Sequence, residues 1–255
     1  MTTHTTGPAV LMDQEGPVVR LVVNRPHRRN SLTAADVGLL RDALETAAAD
    51  PRTRAVVIEG TGGTLCSGMD LAELSDGDRS QGGSDFFDLL RRITEVPVTV
   101  LAAVDGQVLG GGVGLAAACD LVLATERSTF ALPEALWGLL PCTILPFLMR
   151  RVGFQRAYAM TLTTATVTAP DARAFGLVDV LEGAHGQQRR RLLGRLTKID
   201  RPTVAEAKAY CTSLAPLPDT ARDHAGEVFA RLLDSPVVRT RIDNFVRHQR
   251  MPWEV

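Results

Sequence analysis

Val98-Thr99-Val100-Leu101-Ala102-Ala103-Val104-Asp105-Gly106-Gln107-Val108-Leu109-Gly110-Gly111-Gly112-Val113-Gly114 is the stretch that decides how this chain folds. Val98 to Val104 reads as a buried β-strand, and the glycines come directly after it. A backbone without Cβ lets a ligand approach the peptide N–H groups closely. If Gly111 begins a helix running to Ala118, its N–H also lies at the positive end of the helix dipole. The same glycines would equally serve a tight helix–sheet packing turn. The spacing excludes a dinucleotide fingerprint, because Gly110, Gly111, Gly112 and Gly114 do not form G-x-G-x-x-G. No Lys-Ser/Thr pair comes next, which excludes a phosphate-binding P-loop.

Outward from this stretch, strands and helices alternate. Val18 to Val23 is a β-branched run stopped by Asn24-Arg25-Pro26, and Ala55 to Ile58 is a second strand. Thr33 opens a helix, with Asp36 in a capping-box position and Val37, Leu40 and Leu44 at helical spacing. A further helix is predicted over 84–95, and Leu121 to Ala124 is a fourth strand. This rhythm predicts an α/β core with parallel pairing. After Gly176-Leu177-Val178 the pattern turns helical, over 187–198, 202–214, 219–233 and 236–250, with no strand expected. The chain thus divides into a disordered arm over 1–8, a core over 9–185 and a helical region over 186–255. Asp76 to Ser84 is composed like a mobile loop.

Composition narrows the function. The chain has 255 residues, 45% hydrophobic and 22% charged, with formal net charge -1. That near-neutral balance argues against a nucleic-acid partner, and no apolar run is long enough for a membrane span. The start lacks the layout of a secretory signal, and Cys66, Cys119, Cys142 and Cys211 stand apart, so a reduced cytoplasmic protein without disulfides or metal is expected.

Two further segments place chemistry beside strand ends: Leu65-Cys66-Ser67-Gly68-Met69-Asp70-Leu71, and Phe130-Ala131-Leu132-Pro133-Glu134-Ala135-Leu136-Trp137-Gly138. Glu134 is a lone carboxylate among apolar neighbours. Buried, its pKa would rise toward neutrality, as a general acid/base requires. Exposed, it is an ordinary helix-start glutamate.

Taken in order, these segments resemble the crotonase (enoyl-CoA hydratase/isomerase) superfamily. Asn24-Arg25-Pro26-His27-Arg28-Arg29-Asn30-Ser31-Leu32 is similar to its N-R-P-x-x-x-N-A-L stretch, and Cys66 to Leu71 to its C-A-G-x-D-L loop. Asp105 to Gly112, Ala118-Cys119-Asp120-Leu121 and Ala174-Phe175-Gly176-Leu177-Val178 complete the series. The resemblance implies an α/β spiral of ββα units with a helical C-terminal region that trimerises. It also implies that the N–H groups of Met69 and Gly111 form an oxyanion hole for a thioester, beside Gly68, Asp70 and Gly110. Glu134 would act as acid/base, Trp137 and Leu139 would shape the acyl pocket, and Arg28 and Arg29 would border the pantetheine entrance.

The resemblance has one departure. Enoyl-CoA hydratases carry two catalytic glutamates, but the first position here is Gly114. A single glutamate can still run a syn elimination. Ser67 to Asp70 and Phe130 to Phe154 resemble the dehydratases of polyketide β-branching cassettes. These act on a 3-hydroxy-3-methylglutaryl-type thioester of an acyl carrier protein, and decarboxylation by the same site can follow. The resemblance implies no cofactor beyond the phosphopantetheine or CoA carrying the substrate, and a homotrimer or hexamer. Acidic carriers need exposed cations. Two clusters offer them: Arg25, Arg28 and Arg29, and Arg189, Arg190, Arg191 and Arg195. Arg91 and Arg92 are the candidates for a substrate carboxylate. The competing readings are an enoyl-CoA hydratase/isomerase on soluble CoA thioesters and a non-catalytic binding protein of the same fold.

Overall fold

A computed structural model describes residues 7–70, 72–73, 82–183 and 186–254. The expected arm over 1–8 and the expected loop over 76–84 therefore lie mostly outside the described residues.

The chain winds repeatedly through two sheets. The larger has the order β1 (Val10–Glu15), β2 (Val18–Val23), β3 (Ala55–Gly60), β5 (Thr99–Val104), β7 (Leu121–Thr125) and β10 (Val180–Glu182). β1 and β2 form an antiparallel hairpin, and every other neighbouring pair is parallel. The smaller sheet has the order β4 (Thr64–Cys66), β6 (Gln107–Leu109), β8 (Thr129–Ala131) and β9 (Val167–Thr168). Each of β3, β5 and β7 passes straight into its partner in the smaller sheet, which produces the repeated ββα turn. Strand β10 corrects the expectation that no strand comes after Val178. Three residues are too few to show alternation in the sequence, and their pairing with Leu123 to Thr125 comes from the fold.

Local sequence sets most of these elements. Helix α1 (Ala34–Ala49) starts at Thr33, where the reciprocal capping box with Asp36 is complete. All of β5 is buried, as befits a central parallel strand covered on both faces. One face carries Val100 and Ala102 into the main core, with α2 (Gly82–Glu95) and α3 (Gly111–Ala118) over it. Helices α4 (Glu134–Trp137), α5 (Leu145–Val152), α6 (Phe154–Thr163) and α7 (Ala169–Ala174) then lead to the C-terminal region. The other face of β5, Leu101 and Ala103, packs against Leu192, Leu193 and Leu196 of α8 (Gln187–Leu196).

After α9 (Arg201–Leu214), helices α10 (Ala221–Leu233) and α11 (Pro236–His248) turn back onto the chain. Leu233, Val238 and Ile242 pack with Leu139, Trp137 and Met69. The helical tail therefore builds one wall of the region where the glycine segments meet.

Candidate active site

Parallel pairing within the small sheet gathers the three glycine-bearing segments. Cys66 of β4 pairs with Val108 of β6, and Leu109 of β6 pairs with Ala131 of β8. The loops leaving these strands therefore emerge side by side at the carboxyl edge, where ligands of parallel sheets bind. They bring Ser67 to Met69, Gly110 to Gly111, and Pro133 to Glu134 together.

The first loop is held from below. Leu32 donates its N–H to the Gly68 carbonyl at 2.9 Å and accepts from the Asp70 N–H at 3.0 Å, so Met69 sits between two fixed peptides. Gly68 has φ +95°, and a β-carbon there would stand 3.2 Å from the Gly111 nitrogen. The two loops touch, and glycine makes the contact possible. Gly111 begins α3, as expected. Among the described residues, neither the Met69 nor the Gly111 N–H donates to a protein acceptor.

Glu134 opens α4 and turns its carboxylate to this junction. Its Oε1 lies 2.9 Å from where a β-carbon on Gly110 would sit, and Gly110 has φ +52°. Its Oε2 is sealed from solvent and accepts no hydrogen bond among the described residues. A carboxylate withdrawn from water resists ionisation, and burial, outweighing a hydrogen bond from its own backbone, pushes Glu134 up to about 7.

Donors and carboxylate share one cavity of about 150 Å³, a volume that admits a benzene-sized guest. Trp137 and Leu139 line it as expected, and Trp137 is fixed edge-on against Phe245 of α11, ring centroids 5.1 Å apart. Sequence reasoning missed Glu73, Phe86, Cys142, Ile144 and Phe229, which also line it. Glu73 accepts from the Ala34 N–H at 3.0 Å, and Cys142 carries a thiol raised to about 11 by burial, with the Glu134 charge adding to the effect. Phe229 arrives from α10, far along the chain, and no local pattern could signal it.

Several expectations need correction. Asp70 is not part of the cavity wall. It is buried, accepting from Ser31 Oγ at 2.9 Å and the Ala72 N–H at 3.1 Å. Arg28 and Arg29, expected at the entrance and not in the cavity wall, do stay outside the cavity, in and after the exposed turn Pro26–Arg28, where Arg29 donates to Gln107. Arg25 is no docking cation, because it is partly buried and paired with both Asp36 (2.7 Å) and Asp70 (3.5 Å). Arg189 is likewise tied up, with Glu59 and Glu182. Arg91 pairs with Glu95 and Arg92 with Glu45. The described cavity lining contains no Arg, Lys or His.

At position 114 the missing carboxylate has a steric cause. A β-carbon there would come within 2.2 Å of Ile144 Cγ2, so that volume is already filled. The arrangement thus offers two free N–H donors for an anionic oxygen and one proton acceptor of near-neutral pKa, within a mostly apolar wall that also holds Glu73.

The family model for enoyl-CoA hydratase/isomerase matches residues 13–254. The chain is 31% identical over 204 residues to the bacillaene synthase dehydratase PksH of Bacillus subtilis, covering 78% of this chain and 79% of PksH. It is 29% identical over 267 residues to the mevalonyl-coenzyme A hydratase of Aspergillus fumigatus, covering 98% and 96% respectively. A crystal structure of PksH superposes with a TM-score of 0.90 at 26% identity, covering 96% of this chain and 99% of that one. With its winding of two sheets, its paired glycine loops and nearly its whole length matched, the chain belongs to the enoyl-CoA hydratase/isomerase family and is a lyase of the hydratase/dehydratase kind.

Proposed function

We propose that the protein dehydrates a β-branched 3-hydroxyacyl thioester, of the 3-hydroxy-3-methylglutaryl type, carried on an acyl carrier protein. The observation that carries this reading is the Glu134 carboxylate, its Oε2 sealed from solvent and without a hydrogen-bond partner among the described residues, beside two free amides. Ionised Glu134 takes the proton α to the thioester, and the electron pair moves onto the carbonyl oxygen. Met69 and Gly111 N–H groups stabilise that oxyanion, and losing one such donor typically costs about 2.7–4 kcal/mol. The enolate then reforms the carbonyl, the α,β double bond closes, and the β-hydroxyl leaves as water with the proton Glu134 returns. One carboxylate serves both transfers, so the absence of a second at Gly114 is no obstacle.

The likeness to PksH, named as a dehydratase of a polyketide synthase, supports the carrier-bound substrate. Arg28, Arg29, Arg190, Arg191 and Arg195 are the exposed cations of the two clusters that remain for an acidic carrier once Arg25 and Arg189 are withdrawn. We further propose a homotrimer or hexamer.

A specific observation favours a second reading. The described lining has no cation to hold a distal carboxylate, which suits an uncharged acyl group on soluble CoA, in line with the mevalonyl-CoA hydratase relative. Mass spectrometry of a carrier loaded with the 3-hydroxy-3-methylglutaryl chain, against mevalonyl-CoA and crotonyl-CoA, separates the two. Loss of water from the carrier-bound chain supports the first, and loss of carbon dioxide as well adds decarboxylation. Turnover of the CoA thioesters alone supports the second.

A further inference from the structure

We infer that Arg25 is a positioning residue, aiming the Met69 N–H through a buried ionic knot that never touches substrate. This rests on the oxyanion-hole reading above and extends it to Arg25, Asp36 and Asp70, which lie outside the cavity and act through Leu32 and Thr33 of its wall.

The knot begins with backbone shape. Arg29 and Asn30 both adopt left-handed conformations, φ 53° and 54°, an arrangement non-glycine residues seldom take unless held. Asn30 is fully buried, and its side chain ties three segments. Its Oδ1 accepts from the Arg25 N–H at 2.7 Å, and its Nδ2 donates to the carbonyls of Thr61 (2.9 Å) and Thr64 (2.6 Å). This sharp reversal sends Ser31, Leu32 and Thr33 alongside the Met69 loop.

Arg25 then locks what the reversal delivers. Its Nη1 donates to the Ser31 carbonyl and to Asp36 Oδ2 at 2.7 Å, while Nη2 reaches Asp70 Oδ2 at 3.5 Å. Asp70 Oδ2 also accepts from Ser31 Oγ at 2.9 Å, and Asp36 Oδ2 from the Thr33 N–H at 2.9 Å. Residues 31 and 33 are thereby pinned on both sides of Leu32. Leu32 in turn holds the peptides on both sides of Met69, Gly68 through its carbonyl and Asp70 through its N–H. One cation thus links two buried carboxylates, and its planar fork, which Lys lacks, spans them. Met69 keeps a free N–H with no freedom to swing.

The test uses Arg25→Lys, which keeps the charge and loses the fork, and Ser31→Ala, which removes one bond of the knot. The second variant decides the matter should the first fail to fold. Each is made alone for kinetics and with Glu134→Gln, which suspends turnover, for spectroscopy. The probe is 3-methylcrotonyl-pantetheine, carbon-13-labelled at the thioester carbonyl, and isotope-edited infrared reads how far binding lowers its stretching frequency.

A misaimed donor is expected to lower kcat about tenfold to a hundredfold with KM changed less than about threefold. The frequency drop should shrink in both variants, and the pH midpoint of the rate should stay put. A frequency drop equal to that of the parent in a folded variant would overturn the inference and leave the knot merely structural. No drop even in the Glu134→Gln parent would instead remove the oxyanion-hole reading on which it rests, and the inference with it.

Discussion

Glu134 Oε1 stands directly over Gly110, 2.9 Å from the point a β-carbon would occupy, so the acid and the glycine loop share one small volume. The carboxylate can approach the thioester only because residue 110 has no side chain. Gly110→Ala should displace the acid and strain a backbone held at φ +52°. We expect kcat/KM to fall by about a hundredfold, on the scale of a small misplacement of a reacting group, while the melting temperature drops only modestly. Steady-state kinetics and a thermal melt on the same preparation check it.

The near-neutral acidity of Glu134 sets the pH response. Proton abstraction needs the carboxylate, so the elimination rate should rise with pH and reach half its plateau near about 7, the value burial gives this group. A profile of kcat/KM between about pH 5 and pH 9 shows this, and a midpoint near the ordinary 4.5 would contradict the buried geometry.

Stability should move the other way. A carboxyl raised from 4.5 to about 7 by burial makes the ionised form harder to accommodate folded than unfolded, by about 3 kcal/mol. That penalty is absent below 4.5, where both states hold the proton, and complete above 7, where neither does. Glu134→Gln should therefore be more stable than the parent at about pH 8, by up to that amount, and no more stable at about pH 4. Urea unfolding at the two pH values is the measurement.

Position 114 gives a packing prediction. Ile144 Cγ2 occupies the volume a β-carbon on residue 114 would need, at 2.2 Å. Gly114→Ala should destabilise the fold by about 1–3 kcal/mol, and Ile144→Ala by about 2–5 kcal/mol. The double variant should lose less than their sum, because each change relieves the other. Strict additivity in denaturant unfolding would show that the two positions do not compete for space.

Much of this architecture was legible locally. Thr33 and Asp36 announced their capping box, the β-branched runs marked β2, β3 and β5, and Gly111 began its helix where the dipole argument placed it. The strands of the small sheet were not legible, since two or three residues show no alternation and exist only through their neighbours. Glu134 could be read as buried or exposed until the pairing of β6 with β8 carried it over Gly110. Arg25 looked like a surface cation because its two carboxylates lie 11 and 45 residues away. Phe229 was invisible for the same reason, its place in the cavity depending on the return of α10.

One assay bears most directly on the whole account: turnover of a 3-hydroxyacyl thioester by Glu134→Gln beside the parent protein at about pH 8, with folding verified for both. A solitary acid/base predicts a fall in kcat of about a hundredfold to ten-thousandfold, the usual contribution of such a group. Dehydration by the variant at close to the parental rate would mean that the proton leaves by another route, and the role given to this carboxylate would be wrong.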